Sequence, residues 1–197
     1  MAHAQQPALA RERTEAASDL ARDALDHLRR GEDALTKAQK LTAYRRGLGL
    51  ARRAVEADDA NADAHFAIFA NHGRILLLEG AAPNAINLIQ VSGELERALA
   101  LDPNHTNALA AKGGLYRQLP WLLGGNLAKA EECLARAIEL DPNAVGARIE
   151  LAQTYRDMGS PQRGLPLIEK AIELAQQMNK SRQLGEARQL LREFRVR

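Results

Sequence analysis

The fold class predicted for this 197-residue chain is all-α: an α-solenoid of about four irregular helical hairpins plus a C-terminal capping helix. Three observations predict it. Hydrophobic residues make up 46% of the chain but aromatics only 4%, and alanine and leucine, which lose little side-chain freedom in a helix, supply much of the apolar content. Internal near-copies recur: "LERALALDPNHTNALAA" (95–111) and "LARAIELDPNAVGARIE" (134–150), with a degenerate relative at 50–66 and another at 167–183. The spacing between copies is regular where helical pairs must stack and irregular elsewhere.

The intervals carry the third point. From the small residue of one second helix to the ring of the next first helix, Ala54 to His72, Ala98 to Tyr116 and Ala137 to Tyr155 each span 18 residues. Within hairpins the spans differ: 26 from His72 to Ala98, 21 from Tyr116 to Ala137 and 16 from Tyr155 to Ala171. A 34-residue repeat leaves 16 for the hairpin. The second and third hairpins therefore carry ten and five extra residues at their tips, where insertions are tolerated and often functional.

Helices are expected at 9–30, 33–57, 62–79, 85–101, 105–118, 127–140, 145–158, 161–177 and 181–195. The first, with Leu20, Ala24, His27 and Leu28 as its apolar stripe, partners the second. Pro103 and Pro142 stop the helices before them. Ser160-Pro161 reads as an N-cap with proline in the first turn. Asn126 is placed to cap the sixth helix, and Glu131 and Glu132 sit near its positive end. The last helix puts Leu184, Ala187, Leu191 and Phe194 on one face, with Arg188, Arg192, Arg195 and Arg197 elsewhere, as a terminal cap requires. No Gly, Pro or Ser-rich linker divides the chain, so residues 9–197 are expected to form a single domain.

These copies resemble the tetratricopeptide repeat (TPR). The best, 145–178, carries Leu151, Ala152, Tyr155, Gly159, Ile168 and Ala171, with Gly164 where alanine is preferred. The copy before it matches at Leu109, Gly113, Tyr116, Ala130, Leu134, Ala137 and Pro142, and departs at Lys112. An earlier one has His65, Ile68, Phe69, His72, Leu95, Ala98 and Pro103. "LPWLLGGN" (119–126) followed by "LAKAEECLARAIELDPN", together with "ANHGRILLLEG" (70–80), is similar to the group that contains the TatT (TRAP-transporter-associated) proteins and the regulator of microtubule dynamics family. That resemblance implies an all-helical binding role with no catalytic residues to carry over. Its members are often lipid-anchored, and no cysteine stands near residue 1 here.

The charges exclude some functions. With 27 basic and 25 acidic residues there is no whole-molecule attraction to nucleic acid. Arg45, Arg46, Arg52 and Arg53 form a basic stripe with only Tyr44 beside it, which is read as a solvated face. No run approaches the roughly 18 apolar residues that a spanning helix needs, so no membrane insertion is expected. Cys133 is the only cysteine, ruling out an internal disulfide. His65 and His72 lie about 10 Å apart along a helix and are read as core or groove residues. No catalytic residue, cofactor or metal ligand is expected. "MAHAQQP" offers Ala2-His3-Ala4, a small-x-small pattern. Residues 1–8 are read as a disordered N-terminus or the remnant of a signal-peptide cleavage site. Localisation is expected to be periplasmic or exported, with cytoplasmic as the alternative.

The expected function is a non-enzymatic scaffold that binds a protein or peptide in its concave groove. The alternative is a periplasmic binder of a small organic acid, serving a TRAP-type transporter. A homo-oligomer is compatible with both. By repeat position the groove is lined by Asp63, Phe66, Arg74, Asn107, Ala110, Arg117, Gln118, Ile149, Gln153 and Arg156. Arg74, Arg117 and Arg156 recur in register, and such a row suits carboxylates, as in an acidic peptide. Pairing with Asp63 or Asp157 would consume it. The inserted Trp121, Leu122 and Leu123 are expected to bury themselves, either plugging neighbouring helix ends or walling a pocket. The other insertion, "GAAPNAINLI" with Pro83 at its tip, is expected beside them.

Overall fold

Nine α-helices form among the residues described in the computed structural model, which cover 5–80 and 85–195 for the backbone and 11–80 and 91–194 for side chains. They are α1 (Gln5–Asp33), α2 (Lys37–Ala57), α3 (Ala62–Glu79), α4 (Ala85–Leu101), α5 (Thr106–Gln118), α6 (Leu127–Leu140), α7 (Val145–Asp157), α8 (Pro161–Gln177) and α9 (Ser181–Arg195). A single 3-10 turn, Trp121–Leu123, lies between α5 and α6. The all-α, solenoid-type class is thus the class observed. The Ala2-His3-Ala4 pattern, the Pro83 tip and Arg197 lie outside the described residues.

Side-chain chemistry sets the helix ends. Thr36 and Gln39 form a reciprocal capping box at the start of α2, each side chain bonding the other's backbone N–H at 3.2 Å. Asn61 and Asn126 accept from Ala64 N and Lys129 N, both at 3.0 Å. His105 Nδ1 does the same for Ala108 N at 3.1 Å. Asp58 and Asp141 fold back onto the amides of Ala60 (3.0 Å) and Asn143 (2.8 Å), giving the two turns similar local bonds. Ser160 departs from expectation. Its side chain makes no cap bond, and its own N–H donates to Tyr155 O at 2.8 Å. Helix α1 runs on past Gly31 to Asp33 instead of ending at 30, and Gly31 lies against the Tyr44 ring, where a Cβ would come within 2.6 Å of Cδ1.

The chain packs as two compact units, 1–103 and 104–197. In the first, α1 lies against both α2 and α3, and α3 against α4. Alanines set the close approach: Ala21, Ala54 and Ala64 are fully buried together, and Ala24, Tyr44, Leu48, Ala51, Ala67, Ile68 and Ile75 form the larger core. In the second unit consecutive helices pack in turn, and α7 also touches α5 and α9, so first helices meet first helices. Ala130, Leu134, Ala137, Leu151 and Tyr155 fill one layer, and Val145, Ile149, Ile168, Leu174, Ala187 and Leu190 the next. Leu184, Leu191 and Phe194 pack partly buried on that second layer while Arg188 and Arg192 face water, so α9 closes this unit as a cap.

His72, half-buried on α3, supplies a pH dependence. Burial, and Arg52 beside it, hold its pKa below the usual 6.5, with Glu79 pulling the other way. The unfolded chain then binds this proton more readily than the folded one. Stability is therefore lost as pH falls through about 6.5 toward the lower folded-state value. His72→Gln is expected to shrink the drop in melting temperature between neutral and mildly acidic buffer. An undiminished drop would show that His72 does not contribute.

Candidate functional site

The turn that joins α5 to α6 is closed by its own backbone. Leu123 N and Gly125 N donate to Pro120 O at 2.9 and 3.0 Å, Gly124 N to Trp121 O at 3.0 Å, and Asn126 N to Tyr116 O at 2.8 Å. Gly124 holds φ +93, a left-handed conformation that suits glycine. At Gly125 a Cβ would come within 2.6 Å of Leu119 C, because the chain crosses itself there. With the inside of the turn filled by backbone, Trp121, Leu122 and Leu123 point outward. They are 79%, 76% and 55% exposed. This corrects the expectation that they bury themselves.

The arginine row is in register but not free. Arg117 on α5 donates through Nε to Glu150 at 2.9 Å and through Nη1 to Asp157 at 3.1 Å, both on α7. Arg156 lies 3.6 Å from the other oxygen of Asp157 and bonds Glu193 on α9 at 2.8 Å. A continuous ladder, Glu150–Arg117–Asp157–Arg156–Glu193, therefore ties three successive first helices. In the first unit Arg74 on α3 pairs with Glu32 on α1 at 2.7 Å. The expectation of open guanidinium groups awaiting a ligand carboxylate is corrected accordingly. Burial works against the Arg117 charge, but Glu150 and Asp157 outweigh it and push its pKa upward.

Phe66, expected to line the groove, is not open to water. It is buried, with its ring centroid 6.2 Å from that of Phe69. Asn107 and Gln118 are exposed on α5, and Gln153 is half-buried on α7. His65 is buried, with Nδ1 2.6 Å from Glu94 and Nε2 3.0 Å from the Asp59 carbonyl. Among the described residues no cluster of His, Cys, Asp and Glu forms a metal site.

Two polar nodes were not foreseen. Tyr155 Oη donates to Glu131 at 3.0 Å, and Arg163 reaches Glu131 at 2.5 Å while its guanidinium carbon lies 4.0 Å from the Tyr155 ring centroid, joining α6, α7 and α8. Burial and Glu131 raise the Tyr155 pKa against the pull of Arg163. The other node is Asn71, fully buried, which donates to Ala24 O (3.2 Å) and Ala67 O (2.9 Å). A signal for the ion pairs was present in the sequence. Three separations, 34 (Arg45–Glu79), 33 (Arg117–Glu150) and 32 (Arg163–Glu131), fall near one repeat length, whereas Arg156–Glu193 (37), Arg117–Asp157 (40) and Arg74–Glu32 (42) are longer.

Arg117→Ala takes away the cation that Glu150 and Asp157 share, leaving Asp157 with Arg156 at 3.6 Å. It is expected to cost about 1–3 kcal/mol in urea unfolding. Arg117→Lys should recover only part, because an ammonium cannot bridge both carboxylates as a fork does. Wild-type stability in Arg117→Ala would refute the ladder as a structural tie.

Helical pairs in which α1 packs on α3 within the first unit, and α5 on α7 and α7 on α9 within the second, with Ala130, Ala137 and Ala171 at the small-residue positions, define a tetratricopeptide-type helical repeat protein. The chain belongs to the TRAP transporter T-component family, which it matches over residues 1–164. Solved structures that it resembles include Pseudomonas aeruginosa PilF, at 23% identity over 93% of this chain and 78% of that one, with a TM-score of 0.59. YrrB, described as a TPR protein with an unusual peptide-binding site, matches at 20% identity over 68% of this chain and 78% of that one, with a TM-score of 0.38. The PilF likeness bears on the fold alone, and the YrrB likeness carries no weight here. Comparison with curated proteins found no match. Among the described residues no helix is long and apolar enough to cross a membrane.

Proposed function

We propose that the chain is a non-enzymatic, periplasmic adaptor of a TRAP-type transporter that binds another protein component on the first-helix face of its second unit. Family membership supplies the transporter context. The observation that carries the protein reading is the Glu150–Arg117–Asp157–Arg156–Glu193 ladder. Both of its arginines are each held between two carboxylates, so neither guanidinium is open, and the face also presents the neutral amides Asn107, Gln118 and Gln153. An organic acid would have to displace Glu150, Asp157 or Glu193 from an arginine to be held, exchanging one charged bond for another with little net gain.

The test is co-elution of the tagged chain with the remaining components of its transporter, followed by calorimetry on the component retained. Gln118→Arg combined with Gln153→Arg is expected to weaken that binding about tenfold or more. No retention of any component by the wild-type chain would defeat the reading. A rise in melting temperature on adding a dicarboxylate such as succinate, lost in Arg156→Ala, would establish the organic-acid function instead.

A further inference from the structure

We propose that the Trp121–Leu123 tip seats in the headgroup layer of an anionic lipid surface. Three contiguous large apolar side chains stand in water on a turn whose shape its glycines and backbone bonds dictate. The amides of Leu123, Gly124, Gly125 and Asn126 have carbonyl partners within the hairpin, which lowers the cost of bringing this turn to a low-dielectric layer.

The surroundings grade from apolar to cationic, as the edge of a bilayer does. The root of the tip is Tyr116, whose carbonyl receives the Asn126 amide. Two ammonium groups lie over its ring, Lys129 at 5.6 Å and Lys112 at 5.9 Å from the centroid. Aromatic rings settle at headgroup depth, and lysines lay their stems on apolar surface while reaching for phosphate. Of the carboxylates that follow on α6, Glu131 is held by Arg163 and Tyr155, and Glu132 offsets one lysine. The second unit as a whole has 14 Lys and Arg against 10 Asp and Glu, a surplus of four, whereas the first has 13 against 15. The positive unit is the one that bears the tip. A three-residue turn dips into the interface without spanning it, so no membrane-crossing helix is needed.

Trp121 is the only tryptophan, so its fluorescence reports on the tip alone. The purified full chain is mixed with phosphatidylglycerol vesicles and, separately, with phosphatidylcholine vesicles. With phosphatidylglycerol, emission is expected to move to shorter wavelength and the protein to co-sediment. Leu122→Ser with Leu123→Ser keeps the reporter and should lower partitioning about tenfold or more. Lys129→Glu should weaken binding to phosphatidylglycerol and leave the weaker binding to phosphatidylcholine unchanged. Circular dichroism verifies that these exposed changes leave the helices intact. Unchanged emission with both vesicle types, as for a tip that docks into a protein or stays in water, overturns the proposal. So does co-sedimentation that survives the double serine variant.

Discussion

Gly47→Ala is expected to destabilise the first unit by about 1–3 kcal/mol. Helix α2 passes so close to α3 that a Cβ at residue 47 would lie 2.7 Å from Asn71 Cγ and 2.9 Å from the Ala24 carbonyl of α1. The Ala24 oxygen is backbone, so relief requires moving a whole helix. Asn71 is equally constrained. It is fully buried, donates to Ala24 O and Ala67 O, and its own Oδ1 has no hydrogen-bond donor. That oxygen is tolerated because the glycine beside it leaves room. Urea unfolding of Gly47→Ala measures the cost. Adding Asn71→Ala should return part of it, because one of the two obstacles is gone, while the Ala24 carbonyl keeps the rest in place. A Gly47→Ala protein with wild-type stability would mean that α1, α2 and α3 are not held at this distance.

The second large effect lies in the other unit. Leu134 of α6 is fully buried and fits where Gly113 of α5 has no side chain; a Cβ there would stand 2.5 Å from Leu134 Cγ and 3.2 Å from Ala130 O. Leu134→Ala is expected to cost about 2–5 kcal/mol through lost burial and the cavity left behind. Gly113→Ala alone should cost about 1–3 kcal/mol from overpacking. The pair should cost less than the two summed, by about 1 kcal/mol or more, since the added methyl enters space the leucine has left. Strict additivity in a double-mutant cycle would show that the two side chains do not compete for one volume. The Ala130 carbonyl limits the recovery, so full rescue is not expected.

Most of the helical framework could be read from the sequence, because repeats state their boundaries more than once. Pro103, Pro142, Asn126 and the 18-residue intervals each placed helix ends that the structure has within a few residues. What could not be read was where side chains point. Phe66, Arg74, Arg117 and Arg156 were assigned to an open face by register, but register gives the angle around a helix and not the distance to a neighbour. At these separations Phe66 is buried and each arginine reaches a carboxylate on another first helix. The tip shows a different limit. Hydrophobic content argued for burial of Trp121 and Leu122, and the outcome was set instead by Gly125, whose backbone crossing fills the space they would have entered. The alanine that seals α1 against α2 and α3 was legible as a stripe at Ala24, whereas the polar bond from Asn71 to its carbonyl was not.

The self-closed turn has a consequence for proteolysis. A protease must draw its substrate out as an extended strand and pair with the free amides and carbonyls of the backbone. At residues 120–126 the side chains that attract such enzymes are on display, yet the amides of Leu123, Gly124, Gly125 and Asn126 are already engaged in the hairpin. This exposed apolar turn is therefore expected to resist cutting.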